Sequence, residues 1–348
     1  MNISGPHTAD VTPSRRVTAA MVAQQAGVST ATVSLVVNGK SSGRVSERNV
    51  SRVREAIAEL GYVVDSIGSS LARGVSSTVI MVAPDISNPF FARLIAGVRE
   101  VLGADYQLLL AVTDPGQAPS IEETRRLLSL RPAGLLIDAP NPEFIGELRS
   151  PVPVVAVDAP DAPPEVPAVN LNVAQGARDM AAHFAQRGHR KVAYLDAIND
   201  TATMRQRQEA FATAAAEHGM EIPEGAISSC TIDLGRAAEH FARVWPTWKA
   251  QGITAVGCAT DTHAYGVLQE ARVAGVRIPE DLAVAGFDDL PYSATTNPPL
   301  TSVNLDADEL GRSAARQLLK LLRQEPLETS HVTLAGRLVA RDSTLGVK

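Results

Sequence analysis

The chain has little cysteine and no motif of a familiar catalyst. Its two cysteines, Cys230 and Cys258, stand alone rather than in a C-x-x-C pair. That spacing supplies neither a disulfide framework nor a zinc site, and it fits a reduced, cytoplasmic setting. No run of 18 apolar residues occurs, so no membrane span is expected. The first 16 residues lack the apolar core of a signal peptide. G-x-G-x-x-G, G-x-S-x-G and H-E-x-x-H are all absent, and the seven histidines are scattered. Catalysis, a resident cofactor and a metal are therefore not expected. Gly39-Lys40-Ser41 mimics the end of a phosphate loop, but Ser34 stands where the first glycine belongs, and a helix precedes it.

What is present is a globular composition, 45% hydrophobic and 20% charged, in 348 residues. That length accommodates two or three domains. The net charge of −6 is unevenly spread. Residues 1–76 hold eight Lys/Arg against five Asp/Glu, and the remainder holds 24 against 33, so a head of +3 precedes a body of −9. A basic head can neutralise phosphates while an acidic body keeps the protein soluble.

Residues 17–38 explain the basic head. Thr18 is placed to cap a first helix that runs to about Ala26. Gly27 follows where a chain leaving a helix needs positive φ, and Ser29 can cap a second helix from Thr30 to Asn38. Val33, Val36 and Val37 share one face and can pack on Val22, Ala26 and Val28. The opposite face carries Ala31, Ser34, Leu35 and Asn38, with Thr30 at its edge, all short enough for a major groove roughly 12 Å wide. The pattern is that of a helix-turn-helix. Ser46 then caps a third helix, with Val50, Val53, Ile57 and Leu60 as its apolar stripe and Gly61 as its stop.

From Thr78 onward, β-rich apolar runs alternate with helical stretches. Strands are expected at 78–83, 106–112, 133–137, 152–157, 191–195, 253–258 and 282–287. Helices are expected at 91–103, 120–130, 174–187, 204–219 and 263–274. Continuous apolar strands between amphipathic helices imply parallel sheets covered on both faces, here two doubly wound units in series. Ligands of such sheets bind at the carboxyl ends of the strands. A carboxylate there can accept from hydroxyls, and the candidates are Asp85, Asp158, Asp261 and Asp288, with Phe90 and Phe91 following Asp85.

The run V-T-x-x-x-V-A-x-x-A-G-V-S-x-x-T-V-S-x-V-V-N from Val17, with Val45-Ser46 and Glu59–Tyr62, resembles the headpiece of the LacI/GalR family of transcription regulators. P-D-I-S-N-P-F-F (84–91), R-P-A-G-L-L-I (131–137), R-G-H-R-K-V-A-Y-L (187–195), G-V-R-I-P-E-D-L-A-V-A-G-F-D-D (275–289) and P-P-L-T-S-V (298–303) extend the resemblance through a periplasmic-binding-protein-like body.

The resemblance implies a tail at 1–16, a DNA-binding head at 17–63 and a hinge helix at 64–76. The body follows at 77–345. Its N-subdomain covers 77–170 plus 305–327, and its C-subdomain covers 171–304 plus 328–345. Thr18, Ser29, Thr30, Ala31, Thr32, Ser34, Leu35 and Asn38 are the implied DNA-contacting residues, with Leu71 as a wedge in the minor groove. Arg207 opens R-Q-E-A-F, which resembles R-x-x-G-F with Ala210 in place of Gly. With Asp85, Phe90, Phe91, Asp158, Asp261 and Asp288 it forms the implied effector site, suited to a sugar or another polar metabolite. The helix at 307–323 and the first body helix are implied interface elements of a homodimer on a pseudo-palindromic operator in double-stranded DNA.

Three positions of the head and hinge depart from the pattern as well: Met21 for an Asp, Leu35 for an Arg, and Asp65 for an Asn. Leu35 and Asp65 leave a second reading open, a soluble small-molecule binding protein whose head is degenerate.

Overall fold

The computed structural model describes residues 17–62, 76–83, 86, 88–113, 120–199 and 201–345. The chain divides into two compact units, Met1–Ser76 and Ser77–Lys348. The tail 1–16, most of the connector (with Asp65 and Leu71) and Asp85 lie outside the described residues.

The first unit contains three helices among its described residues, α1 (Ala19–Ala26), α2 (Thr30–Val37) and α3 (Glu47–Leu60). Each starts at an expected cap. Thr18 accepts from the Met21 amide, Ser29 from Thr32 and Ser46 from Asn49. Gly27 and Gly61 end α1 and α3 at φ 61° and 64°, in the left-handed region that glycine enters without steric cost. Val22, Ala23, Ala26, Val33, Val36, Val50, Val53 and Ala56 form the core, with Val28, Val37, Ile57 and Leu60 packed at its margin.

The second unit holds two six-stranded sheets. The first contains β1 (Thr78–Ala83), β2 (Gln107–Val112), β3 (Gly134–Asp138), β4 (Val154–Val157), β5 (Ala168–Leu171) and β11 (His331–Leu334), in the order β11-β5-β4-β3-β1-β2, all parallel. The second contains β6 (Val192–Ala197), β7 (Ile227–Cys230), β8 (Ala255–Cys258), β9 (Ala283–Asp288), β10 (Thr301–Asn304) and β12 (Arg337–Val339). Its order is β12-β10-β9-β8-β6-β7, parallel except for the antiparallel edge strand β12.

Helices cover the sheets: α4 (Pro89–Leu102), α5 (Ile121–Leu128), α6 (Pro142–Leu148), α7 (Val173–Gln186), α8 (Ala202–Glu217), α9 (Leu234–Gln251), α10 (Asp261–Val273), α11 (Ala307–Leu322) and the short α12 (Asp342–Leu345). Apart from Thr78 at the start of β1, the central strands are buried along their whole length, so they carry apolar residues on both faces.

The chain passes between the sheets after β5, after β10 and between β11 and β12. The last passage differs from the expected boundary at 327/328. His331–Leu334 pairs with Ala168–Leu171 and completes the edge of the first sheet. The crossing therefore falls at residues 335–336, and only β12 joins the second sheet.

The helices expected at an interface between subunits, α4 and α11, pack on each other within this chain. Gly97 and Gly311 let the two backbones meet. A Cβ on Gly311 would lie 2.9 Å from the Val98 amide nitrogen, and one on Gly97 would overlap the Asp308 carbonyl.

Candidate functional site

The site is built where the carboxyl ends of the two sheets come together. β3 ends at Asp138, β4 is followed by Asp158, and β9 ends at Asp288. Asp158 has φ 52° and Asp288 φ 102°, positive values that few residues other than Gly, Asn and Asp adopt. Opposite Asp158 stands α8, whose buried stripe reads Thr203, Arg207, Ala210, Phe211, Ala214. Thr203 and Arg207 are four residues apart, so they share one face, and the packing that buries Ala210 and Phe211 aims both inward.

Arg207 is the hub. Its guanidinium lies 3.7 Å from Asp288 Oδ1, donates through Nη1 to the Ala259 carbonyl at 2.5 Å, and sits over the Phe287 ring at 4.7 Å. It is 4% exposed, and its Nε has no hydrogen-bond partner. Asp158 accepts from Thr203 across the cleft, while its Oδ1 is buried without a partner. Burial raises the Asp158 carboxyl above the usual carboxylate range, with Arg207 and Thr203 opposing. Burial likewise pushes Asp288 up to about 7, again opposed by Arg207. At the rim Arg205 lies 3.7 Å from Asp161, an exposed pair that contributes little by itself. Buried polar atoms without partners, gathered between two parallel sheets, are the makings of a site for a ligand rich in hydroxyl or amino groups.

The predicted effector residues are not all brought together. Asp158, Arg207 and Asp288 meet. Asp261 does not join them. It is fully buried, and its two oxygens accept from the Leu290 amide (2.8 Å), the Ser293 hydroxyl (2.5 Å) and the Ser302 hydroxyl (2.5 Å). It anchors the loop after β9 through both of its oxygens. Phe90 is core, 8% exposed and edge-on to the half-buried Phe91 at 5.4 Å. Asp289, the neighbour of Asp288, accepts from Arg341 at 2.7 Å and from Asn304 at 2.8 Å, so it holds the turn.

Sequence reasoning missed Asp138, Asp196 and Thr203. The rule that selected Asp158 and Asp288, a carboxylate at the end of a parallel strand, applies equally to Asp138 and Asp196.

In the head, Thr30, Ala31 and Ser34 are exposed on the side of α2 away from the valines, and Thr32 and Leu35 are half-buried. Thr18 and Ser29 spend a lone pair on capping. Asn38 turns its amide back onto the Ser34 carbonyl (2.7 Å) and hydroxyl (3.2 Å).

Comparison with known proteins decides the family. Residues 18–65 match bacterial regulatory proteins of the lacI family, and residues 181–344 match a periplasmic binding protein-like domain. Catabolite control protein A of Priestia megaterium is 31% identical over 331 residues, spanning 93% of this chain and 98% of that protein. The chain belongs to the lacI family of bacterial regulatory proteins. The HTH-type transcriptional regulator CelR of Thermobifida fusca is 32% identical, over 94% of this chain and 98% of its own. Among solved structures, a CelR–cellobiose complex superposes with a TM-score of 0.68 at 29% identity, covering 94% of this chain and all of that one. The lac repressor dimer bound to operator and the anti-inducer ONPF superposes at 0.81 over 95% of this chain and all of its own, and at 24% identity it speaks for the fold. This lacI-family member is a DNA-binding transcription regulator, with a helix-turn-helix head and a periplasmic-binding-protein-like body. Among its described residues no single helix is long and apolar enough to cross a membrane.

Proposed function

We propose that the protein is a cytoplasmic repressor without catalytic activity, whose operator affinity is set by a polar metabolite held by Asp158, Arg207 and Asp288. The observation that carries this is the pair of unsatisfied buried atoms, Arg207 Nε and Asp158 Oδ1, at the carboxyl ends of the two sheets. Thr203 and Asp158 already touch across the cleft, so a ligand bound there interacts with both halves of the body. It thereby biases their relative angle, which the hinge at 64–76 passes to the head. A coupling of about 1–3 kcal/mol corresponds to a change in operator affinity of roughly 5–150-fold. That the related CelR was solved with cellobiose favours a sugar-like ligand. Thr18, Ser29, Thr30, Ala31, Thr32, Ser34, Leu35 and Asn38 are the residues we place on the major groove, with Leu71 on the minor groove.

Two copies on a pseudo-palindromic site need a contact surface. Strand β2, at the edge of its sheet among the described residues, offers one, because Leu109, Leu110 and Val112 stand 44%, 43% and 51% exposed. The dimer is checked by sedimentation of Leu110→Glu, which should shift the protein toward monomer.

The effector site is tested by a thermal-shift panel of sugars, polyols and nucleosides, followed by calorimetry and by operator binding with and without the hit. A specific ligand at 100 times its Kd adds roughly 2.7 kcal/mol of stability. Arg207→Ala should weaken binding of the hit at least 100-fold. A hit unaffected by Arg207→Ala and by Asp288→Ala places the ligand elsewhere and refutes the assignment.

A further inference from the structure

The cleft is rich in acidic side chains and poor in basic ones. Asp138 and Asp158 lie at the ends of neighbouring strands, with Asp138 registered against Val157, the residue before Asp158. Adjacent strands run about 4.8 Å apart, so the two acids occupy neighbouring strand ends, and Asp158 acts electrostatically on Asp138. Asp138 is only 4% exposed. Among the described residues its carboxyl meets no hydrogen-bond donor and no cation. The charged group that acts on it is Asp158, and burial together with that neighbour holds its carboxyl well above the ordinary range. Asp196, 6% exposed at the end of β6, adds a further carboxyl beside Arg207. Asp158, Asp196 and Asp288 thus share a single guanidinium, which also serves the Ala259 carbonyl and the Phe287 ring, and no cation acts on Asp138. His263, behind the cleft, supplies no charge at neutral pH, because burial lowers it to about 4.

A buried carboxylate without a donor costs several kcal/mol unless it is protonated or neutralised. A ligand bearing phosphate or carboxylate would raise that cost. A neutral sugar could donate hydroxyls but would leave the acids to be neutralised by protons alone. An ammonium supplies three donors and a positive charge at once.

We propose that the effector of this regulator carries an amino group, as an amino sugar does, and that its ammonium is held between Asp138 and the free Oδ1 of Asp158. The inference rests on the cleft being the effector site. Arg207 and Asp288 then take the hydroxyls, while Asp138 sets the preference for a cation.

The test is calorimetry on the full-length protein at pH 7.5 with matched probes: glucose, glucosamine and glucuronate, and the corresponding galactose and mannose series. In at least one series the amine should bind ten or more times tighter than the neutral sugar, with no detectable binding of the acid. Asp138→Asn, which keeps the shape and removes the charge, should bring the amine-to-neutral ratio to within about twofold. Neutral binding as tight as amine binding overturns the proposal, as does a ratio unchanged by Asp138→Asn, and either leaves the cleft assignment standing. Amine binding that survives both Arg207→Ala and Asp288→Ala overturns the cleft assignment itself. Silence from every amine in the panel overturns the amino-sugar assignment.

Discussion

Replacing Asp288 by Asn should stabilise the protein at alkaline pH while damaging its ligand site. Asp288 is 4% exposed, and its one close cation is 3.7 Å away. Burial carries its carboxyl from 3.8 to about 7 in the native state. Between these values the native protein holds a proton that the unfolded chain has released. Stability therefore falls as pH rises through that window, and the full penalty stands above pH 7. At about 1.4 kcal/mol per pKa unit the penalty reaches roughly 4 kcal/mol as an upper bound. Asn has no such proton to lose, tolerates positive φ about as well as Asp, and can still accept from Arg207. Loss of the Arg207 pair offsets part of the gain, which leaves about 1–3 kcal/mol at pH 8. Urea denaturation of both proteins at pH 5 and pH 8 measures it. The advantage of Asp288→Asn should be greater at pH 8 by roughly 2 kcal/mol. An advantage equal at the two pH values, or a loss of stability at pH 8, would refute the reasoning.

Other perturbations separate the parts of the molecule. Gly97→Ala places a methyl group against the Asp308 carbonyl and 3.1 Å from the Arg312 amide nitrogen. It should part α4 and α11 and cost about 2–4 kcal/mol in urea denaturation, whereas a change under about 0.5 kcal/mol would mean the crossing is not tight. Leu35→Arg adds a cation on the outer side of α2. Operator binding should then fall more steeply with salt, with a log–log slope steeper by about 1 for each head that docks, as read by fluorescence anisotropy from 50 to 200 mM. An unchanged slope would remove Leu35 from the DNA-facing surface. Asp261→Asn leaves Ser293, Ser302 and the Leu290 amide with one acceptor fewer than they need. Because burial raises Asp261 to about 8, the comparison is made at pH 4, where its ionisation carries little of the penalty; there the substitution should lower the urea midpoint by an amount equivalent to about 1–3 kcal/mol, and a loss of ligand affinity without loss of stability would return Asp261 to the effector site.

The head was legible residue by residue because its determinants are local. A Ser or Thr cap, a valine stripe and a glycine stop each act within one turn, and Thr18, Ser29, Ser46, Gly27 and Gly61 stand where the helices begin and end. The long buried strands were legible for a related reason, since an uninterrupted apolar run has few alternatives to a covered parallel sheet. Weaker elements were not. β7 is half-exposed Ile-Ser-Ser-Cys, β5 is four residues long, and α9 carries Pro246 in its interior, held there by Phe241, Trp245 and Trp248 packed on the second sheet.

By itself the sequence determined the architecture of the head, the alternation that yields two parallel sheets, and the rule that chemistry gathers at strand ends. Only the tertiary structure decided which sheet receives β11 rather than β12, because two short apolar segments differ only in the edge each finds free. It also decided among strand-end aspartates that look alike along the chain. Asp261 turns toward Ser293 and Ser302 and becomes an anchor, whereas Asp158, Asp196 and Asp288 collect around the one arginine that α8 buries, with Asp138 beside Asp158. That choice depends on donors far away in sequence, and only the folded backbone brings them within reach.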